Sequence, residues 1–153
     1  MAHVFVYGTL LRGAANHDVL ARLGARFVAR ARTAEPRTLL DLGPYPALLP
    51  RDAERDRDAS PVFGEVYAVP DGALDDLDVF EGCPDLYRRE PIALEPDGAH
   101  GGEPTPSKAF TYVLARRPPA RARPVPGGRY AVRGAALPAG ASPSQLGEDP
   151  LDK

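Results

Sequence analysis

The chain has 153 residues, 43% of them hydrophobic, enough to bury one genuine core. Its 19 Lys and Arg against 21 Asp and Glu leave a formal net charge of −2, without the electrostatic footprint of a nucleic-acid binder. A single cysteine excludes an internal disulfide and fits a reducing compartment; with neither a signal-peptide start nor a run near the ~20 apolar residues of a membrane span, the expected location is the cytoplasm.

Residues 4–7 form a short β-branched and aromatic run that stops at Gly8, as a buried strand would. Gly8 allows the chain to turn there with positive φ. The consecutive N–H groups of Tyr7, Gly8, Thr9 and Leu10 would then make a concavity suited to a carboxylate or a developing oxyanion. A plain strand-ending turn has the same pattern, so both readings stand at this point. Asn16 can cap a helix that carries Val19, Leu20 and Leu23 and stops at Gly24. Phe27, Ala29 and Ala31 alternate with Val28, Arg30 and Arg32, as in a half-buried strand. Residues 38–42 lead into a stiff loop, Gly43-Pro44-Tyr45-Pro46. Residues 51–60 hold four acids, three arginines and no apolar residue but alanine, the composition of a solvated loop. Residues 62–69 are the next strand.

The segment 71–82 opens with Asp71 as a candidate N-cap and closes with Gly82. Leu74, Leu77 and Phe80 recur between them at helical spacing. Glu81 stands four residues past Leu77 and seven past Leu74, so it points along the same apolar stripe. Asp75, Asp76 and Asp78 fall beside that stripe or away from it. A carboxylate aimed into apolar surroundings resists ionisation, which raises its pKa towards the range useful for moving protons. If the helix instead frays before Glu81, the side chain simply reaches water.

Residues 87–95 and 108–115 make two more strands around a Gly- and Pro-rich loop at 96–107. Residues 1–116 are expected to carry the folded domain. The rest, 117–153, reads as an irregular strap or tail of the same domain, because Pro118, Pro119, Pro124 and Pro126 rule out regular secondary structure there. Strands outnumber helices and no βαβ rhythm appears. An α+β single domain with a small mixed, curled or barrel-like sheet follows.

Other chemistry finds little support. Neither a G-x-x-x-x-G-K-[ST] nor a G-x-G-x-x-G phosphate loop is present. His3, His17 and His100 lack the spacing of a helical metal site, which argues against a zinc centre. Cys83, followed by Pro84 in a turn, suits a half-buried structural thiol better than a nucleophile served by His17 or His100. Arg88 and Arg89 point to opposite faces of a strand, so at most one faces Glu81.

Taken in order, the run Val4-Phe5-Val6-Tyr7-Gly8-Thr9-Leu10, then Gly13, Asn16-His17, Gly64-Glu65-Val66-Tyr67, Leu77-Asp78-Val79-Phe80-Glu81-Gly82 and Leu86-Tyr87-Arg88-Arg89 resemble the γ-glutamylcyclotransferase superfamily. The resemblance spans residues 4–114 and is strongest to the γ-glutamylamine branch. Glutathione-specific branches carry Tyr-Gly-Ser-Leu or Tyr-Gly-Ser-Asn at the first turn, where this chain has Thr9.

That resemblance implies a reaction in which the substrate's own α-amine attacks its γ-carbonyl carbon, giving 5-oxoproline and a free amine. No metal or organic cofactor is implied, and the partner is a small γ-glutamyl molecule. Glu81 would be the catalytic carboxylate, carrying a proton from the attacking nitrogen to the leaving one. The turn of Tyr7, Gly8, Thr9 and Leu10 would hold the glutamyl portion. Tyr45, Tyr87 and Tyr112 would line the leaving-amine pocket. Two alternatives remain open: turnover of another γ-glutamyl compound, such as a γ-glutamyl amino acid or a biosynthetic intermediate, and a small-molecule binding domain without turnover. A monomer is favoured.

Overall fold

A computed structural model of the protein describes residues 1–98 and 103–131. β1 (Ala2–Val6) runs antiparallel to β5 (Phe63–Val69), in register from Ala2↔Val69 to Val6↔Glu65. β5 pairs with β2 (Arg26–Thr33), β2 with β6 (Tyr87–Pro96), and β6 with β7 (Lys108–Leu114), all antiparallel. A parallel contact between β1 and β7 at Val4↔Phe110 closes these five strands into a small barrel. Beyond that contact β4 (Pro46–Leu48) takes the place of β1 beside β7, at Leu48↔Val113. β3 (Leu39–Asp41) and then β8 (Arg123–Pro124) extend the sheet outwards. The helices α1 (His17–Arg22), α2 (Ala53–Asp56) and α3 (Ala73–Phe80) are short. The architecture is the α+β, barrel-like one expected. Among the described residues, no helix is long and apolar enough to cross a membrane.

β1 is buried on both faces, as a continuous apolar run requires. Val4 and Val6 enter one hydrophobic cluster with Leu20 of α1 and Leu77 of α3; Phe5 and Tyr7 enter another with Val66 and Val113. The barrel thus separates a face covered by helices from its own interior.

Four expectations are corrected. The register of β2 shifts between Phe27 and Ala29, so the strict alternation breaks and Val28 is buried beside Ala29. Pro46 lies in β4 rather than in a loop, and it stands at the first position of the strand, where a missing N–H costs least. Residues 51–60 are not a solvated loop throughout. Asp52 caps α2 by accepting from the Glu54 and Arg55 N–H groups at 3.1 and 3.0 Å, and Asp56 turns inwards. The Asp56 carboxylate accepts from the Thr38 N–H and hydroxyl and from the Asp52 N–H, and it faces the buried Arg37 at 3.8 Å. Finally, regular pairing continues past Arg116: β8 lies on β3 at Leu40↔Pro124, and a 3-10 turn follows at Pro126–Gly128. The stretch 132–153 and His100 lie outside the described residues.

Candidate active site

A pocket opens where β1 and β7 part. Tyr7, just past the end of β1, stitches this seam. Its hydroxyl donates to the Tyr112 carbonyl at 2.6 Å and accepts from the Leu48 N–H at 3.1 Å. One phenol therefore stands in for ladder bonds that β1 no longer makes. At the next position a Cβ would sit 2.6 and 2.8 Å from the ring carbons of Pro46. Gly8 is required by this close approach; the positive φ it allows is not adopted.

The turn is held through its carbonyls. Leu11 N–H donates to the Gly8 carbonyl at 3.0 Å and Asn16 N–H to the Thr9 carbonyl at 2.8 Å; His17 Nδ1 lies 2.9 Å from the Leu10 carbonyl. The N–H groups of Gly8, Thr9 and Leu10 enter no hydrogen bond among the described residues, so three consecutive donors stay available. Asn16 precedes α1 as expected but makes no side-chain cap. Its amide is buried and donates to the Thr9 hydroxyl at 3.0 Å, bracing the turn instead.

α3 begins after Gly72, not Asp71, and has no side-chain cap; Asp71 pairs with the N-terminal amine at 3.1 Å. Leu77 anchors the helix in the core, with Leu74 and Phe80 packed beside it. The helix closes with two bonds, Gly82 N–H to the Val79 carbonyl and Cys83 N–H to the Asp78 carbonyl, and Gly82 takes φ 72°. Glu81 keeps helical dihedrals at the cap position and its N–H still reaches the Leu77 carbonyl at 2.8 Å. The helix does not fray before Glu81, and the side chain continues the Leu77 stripe into the pocket.

All eight residues singled out from the sequence line this one pocket: Glu81 at the end of α3, the turn Tyr7, Gly8, Thr9 and Leu10, and the rings of Tyr45, Tyr87 and Tyr112. Its free space is about 540 Å³, mouth included. Phe5, Val6, Pro46, Phe80 and Leu86 complete the lining and were not singled out as site residues, although Phe5, Val6 and Phe80 stood in segments with a clear local signal.

Residues 4–132 match the family described as gamma-glutamyl cyclotransferase, AIG2-like. The chain belongs to that family. A gamma-glutamylaminecyclotransferase of Homo sapiens is 43% identical over 132 residues, spanning 78% of this chain and 82% of that protein. Its Bos taurus counterpart is 42% identical over 124 residues, 78% and 69% respectively. A crystal structure of an AIG2-like protein from Mus musculus superposes with a TM-score of 0.65 at 34% identity, over 77% of this chain and 80% of that one. An allophanate hydrolase of Kluyveromyces lactis shares only the fold: TM-score 0.62 at 20% identity, over 81% of this chain and 19% of that one.

In this cyclotransferase-family chain the pocket wall contains, among the described residues, no Lys or Arg, and Glu81 is its one carboxylic acid. Burial first, and then the negative charge of Asp78, push the Glu81 carboxyl from 4.5 up to about 8. Burial likewise raises the phenols of Tyr7, Tyr87 and Tyr112, which stay protonated at neutral pH. Their hydroxyls are spent on protein acceptors: Tyr87 donates to the Pro46 carbonyl at 3.1 Å and Tyr112 to Asp78 Oδ1 at 2.8 Å. These three hydroxyls are therefore already committed within the protein. Cys83 is half-buried and outside the pocket wall, and its thiol is pushed up to about 11, chiefly by burial. Arg88 pairs outwards with Glu90 at 2.6 Å, whereas Arg89 turns towards Asp78 at 3.1 Å. Among the described residues no cluster of three or more His, Cys, Asp or Glu is placed to hold a metal ion.

Proposed function

We propose that the chain cyclises γ-glutamylamines, releasing 5-oxoproline and the free amine. The substrate's α-nitrogen attacks its γ-carbonyl carbon, and the amide bond to the leaving nitrogen breaks. Glu81 takes the proton that the attacking nitrogen sheds and returns it to the leaving nitrogen, so no proton or electron is left over. The carrying observation is Glu81 itself: a carboxyl with a pKa of about 8, sharing a small pocket with three available backbone donors. Those donors, on Gly8, Thr9 and Leu10, suit the glutamyl carboxylate or the oxyanion that forms on the γ-carbonyl. Ring closure is intramolecular, so the protein's share of the work is to fold the substrate into the reactive conformer and to manage protons. The names of the relatives support the amine-releasing variant of the reaction.

In this scheme the strap after Arg117 belongs to the same domain as residues 1–116, supported by the pairing of β8 with β3. The lone free Cys83 suits a reducing, cytoplasmic setting. Release of 5-oxoproline across a panel of γ-glutamylamines, γ-glutamyl amino acids and glutathione tests the proposal. Fastest release from the amines is expected. A clear preference for another γ-glutamyl class moves the substrate assignment, and binding without release from any member makes the domain a binder.

A further inference from the structure

Arg89 on β6 and Tyr112 on β7 stand directly opposite each other in the antiparallel register. Both reach the same carboxylate on α3. The Tyr112 hydroxyl donates to Asp78 Oδ1 at 2.8 Å, and Arg89 Nη1 lies 3.3 Å from Oδ1 and 3.1 Å from Oδ2. The Arg89 guanidinium also lies 5.2 Å from the ring centroid of Phe110, two residues before Tyr112 on the same strand, which braces its reach. Asp78 precedes Glu81 by three residues, the spacing that makes helix side chains neighbours. α3 is eight residues long and uncapped by any side chain at its start, so its own propensity does not hold it in place. Leu77 seats it in the core, and the bonds to Asp78 tie its last turn to the barrel at the pocket.

We propose that Asp78, Arg89 and Tyr112 form a positioning triad that fixes Glu81 and sets its proton affinity through the balance of the Asp78 and Arg89 charges. The assignment rests on Glu81 being the proton carrier. The titratable groups around Glu81 are Asp78 on its own helix, Tyr7 after β1, Tyr45 before β4, Tyr87 on β6, Tyr112 on β7, and Cys83 beyond the helix end, and Arg89 of β6 reaches this group through its ion pair with Asp78. Burial keeps the phenols of Tyr7, Tyr87 and Tyr112 and the Cys83 thiol protonated at neutral pH. The permanent charge acting on Glu81 is then the negative Asp78, which is itself paired with Arg89 at 3.1 Å. Asp78 opposes ionisation of Glu81; Arg89, by pairing with Asp78, offsets that opposition.

The signature is a pair of opposite shifts. Arg89→Met keeps much of the side chain's bulk but leaves Asp78 uncompensated, so the acid limb of the kcat/KM profile should move up by on the order of one pH unit. Asp78→Asn keeps an acceptor for Tyr112 and removes the negative charge, so the limb should move down by a similar amount. Arg89→Lys, retaining the charge, should stay within a few tenths of a unit of the unsubstituted protein. The same three variants are titrated by carbon NMR on the Glu81 carboxyl, identified by its absence in Glu81→Gln, which reads the shift without turnover. Opposite displacements with rescue by lysine support the triad. Displacement in one direction by both variants, or by neither, overturns it. If Arg89→Met does not fold, the near-isosteric Asp78→Asn decides alone: a downward shift supports the triad, and no shift or an upward one overturns it. If Glu81→Gln keeps its rate, the catalytic role of Glu81 fails separately, while the NMR shifts still decide whether the triad tunes that carboxyl.

Discussion

Replacing Glu81 by Gln should stabilise the protein, and by an amount that grows with pH. The folded state keeps the Glu81 proton up to a pKa of about 8, whereas an unfolded chain releases it near 4.5. Between those values the unfolded state binds fewer protons, so this group makes stability fall as pH rises. Each pH unit corresponds to about 1.36 kcal/mol, which sets a ceiling near ~5 kcal/mol across the window. Glu81 retains some contact with water at the pocket, so the expected gain at pH 8 is about 3 kcal/mol after allowing for screening. Glutamine matches the side chain's size and cannot titrate. Urea unfolding of both proteins from pH 4.5 to 9 should give curves that nearly coincide at the acid end and diverge steadily up to about pH 8. Other carboxylates contribute equally to both curves and cancel in the difference. Turnover should move the opposite way: kcat/KM of the unsubstituted protein should rise about tenfold per unit below pH 8, and the variant should lose ~10²-fold or more. A stability difference independent of pH, or a variant less stable at pH 8, would refute the claim that Glu81 is held protonated by burial.

Three further substitutions probe the frame around it. Gly8→Ala forces a Cβ against the rigid ring of Pro46 and should cost about 1–3 kcal/mol in urea unfolding, with a raised KM as the turn is displaced; an unchanged KM would separate the turn from substrate binding. Tyr7→Phe leaves the Tyr112 carbonyl and the Leu48 N–H without the bridging hydroxyl, at about 1–3 kcal/mol for each buried group; thermal unfolding that hardly changes would mean the seam is closed by something else. Cys83→Ser should keep turnover within a few-fold, since the thiol is protonated at neutral pH and the substrate supplies its own nucleophile; a loss of several orders of magnitude in a folded variant would point to thiol chemistry.

The fold was legible where a segment's own pattern decides its state. Residues 4–7 are apolar on consecutive positions because β1 is buried on both faces, and the strands at β5, β6 and β7 follow from equally local runs. It was illegible where the deciding partner lies elsewhere in the chain. Nothing within residues 51–60 announces that Asp56 is buried, since its carboxylate is satisfied largely by Thr38 and faces Arg37. Pro46 and Pro124 look like strand breakers until β3 is there to pair with them on its two sides. The bulge at Val28 is likewise a product of the pairing with β5, which no periodicity within β2 encodes.

The pocket follows the same division. Glu81 stands out because residue type and helical spacing contradict each other, and such a conflict is visible within one turn of sequence. The turn at Gly8 also announces itself, but for the wrong reason: the glycine answers to the ring of Pro46, a contact made across the seam, and not to a backbone angle. Asn16 and Arg89 could not be ranked from sequence at all. Each gains its place from a bond to another element, Asn16 to the Thr9 hydroxyl and Arg89 to Asp78 beside its cross-strand neighbour Tyr112. A helix stripe needs only its own residues to aim a carboxyl inwards, but the acidity of that carboxyl depends first on the burial that the closed pocket imposes and then on the neighbouring Asp78. The proposed proton carrier is therefore readable from a short stretch of helix, while the pH at which it would act is a property of the closed barrel.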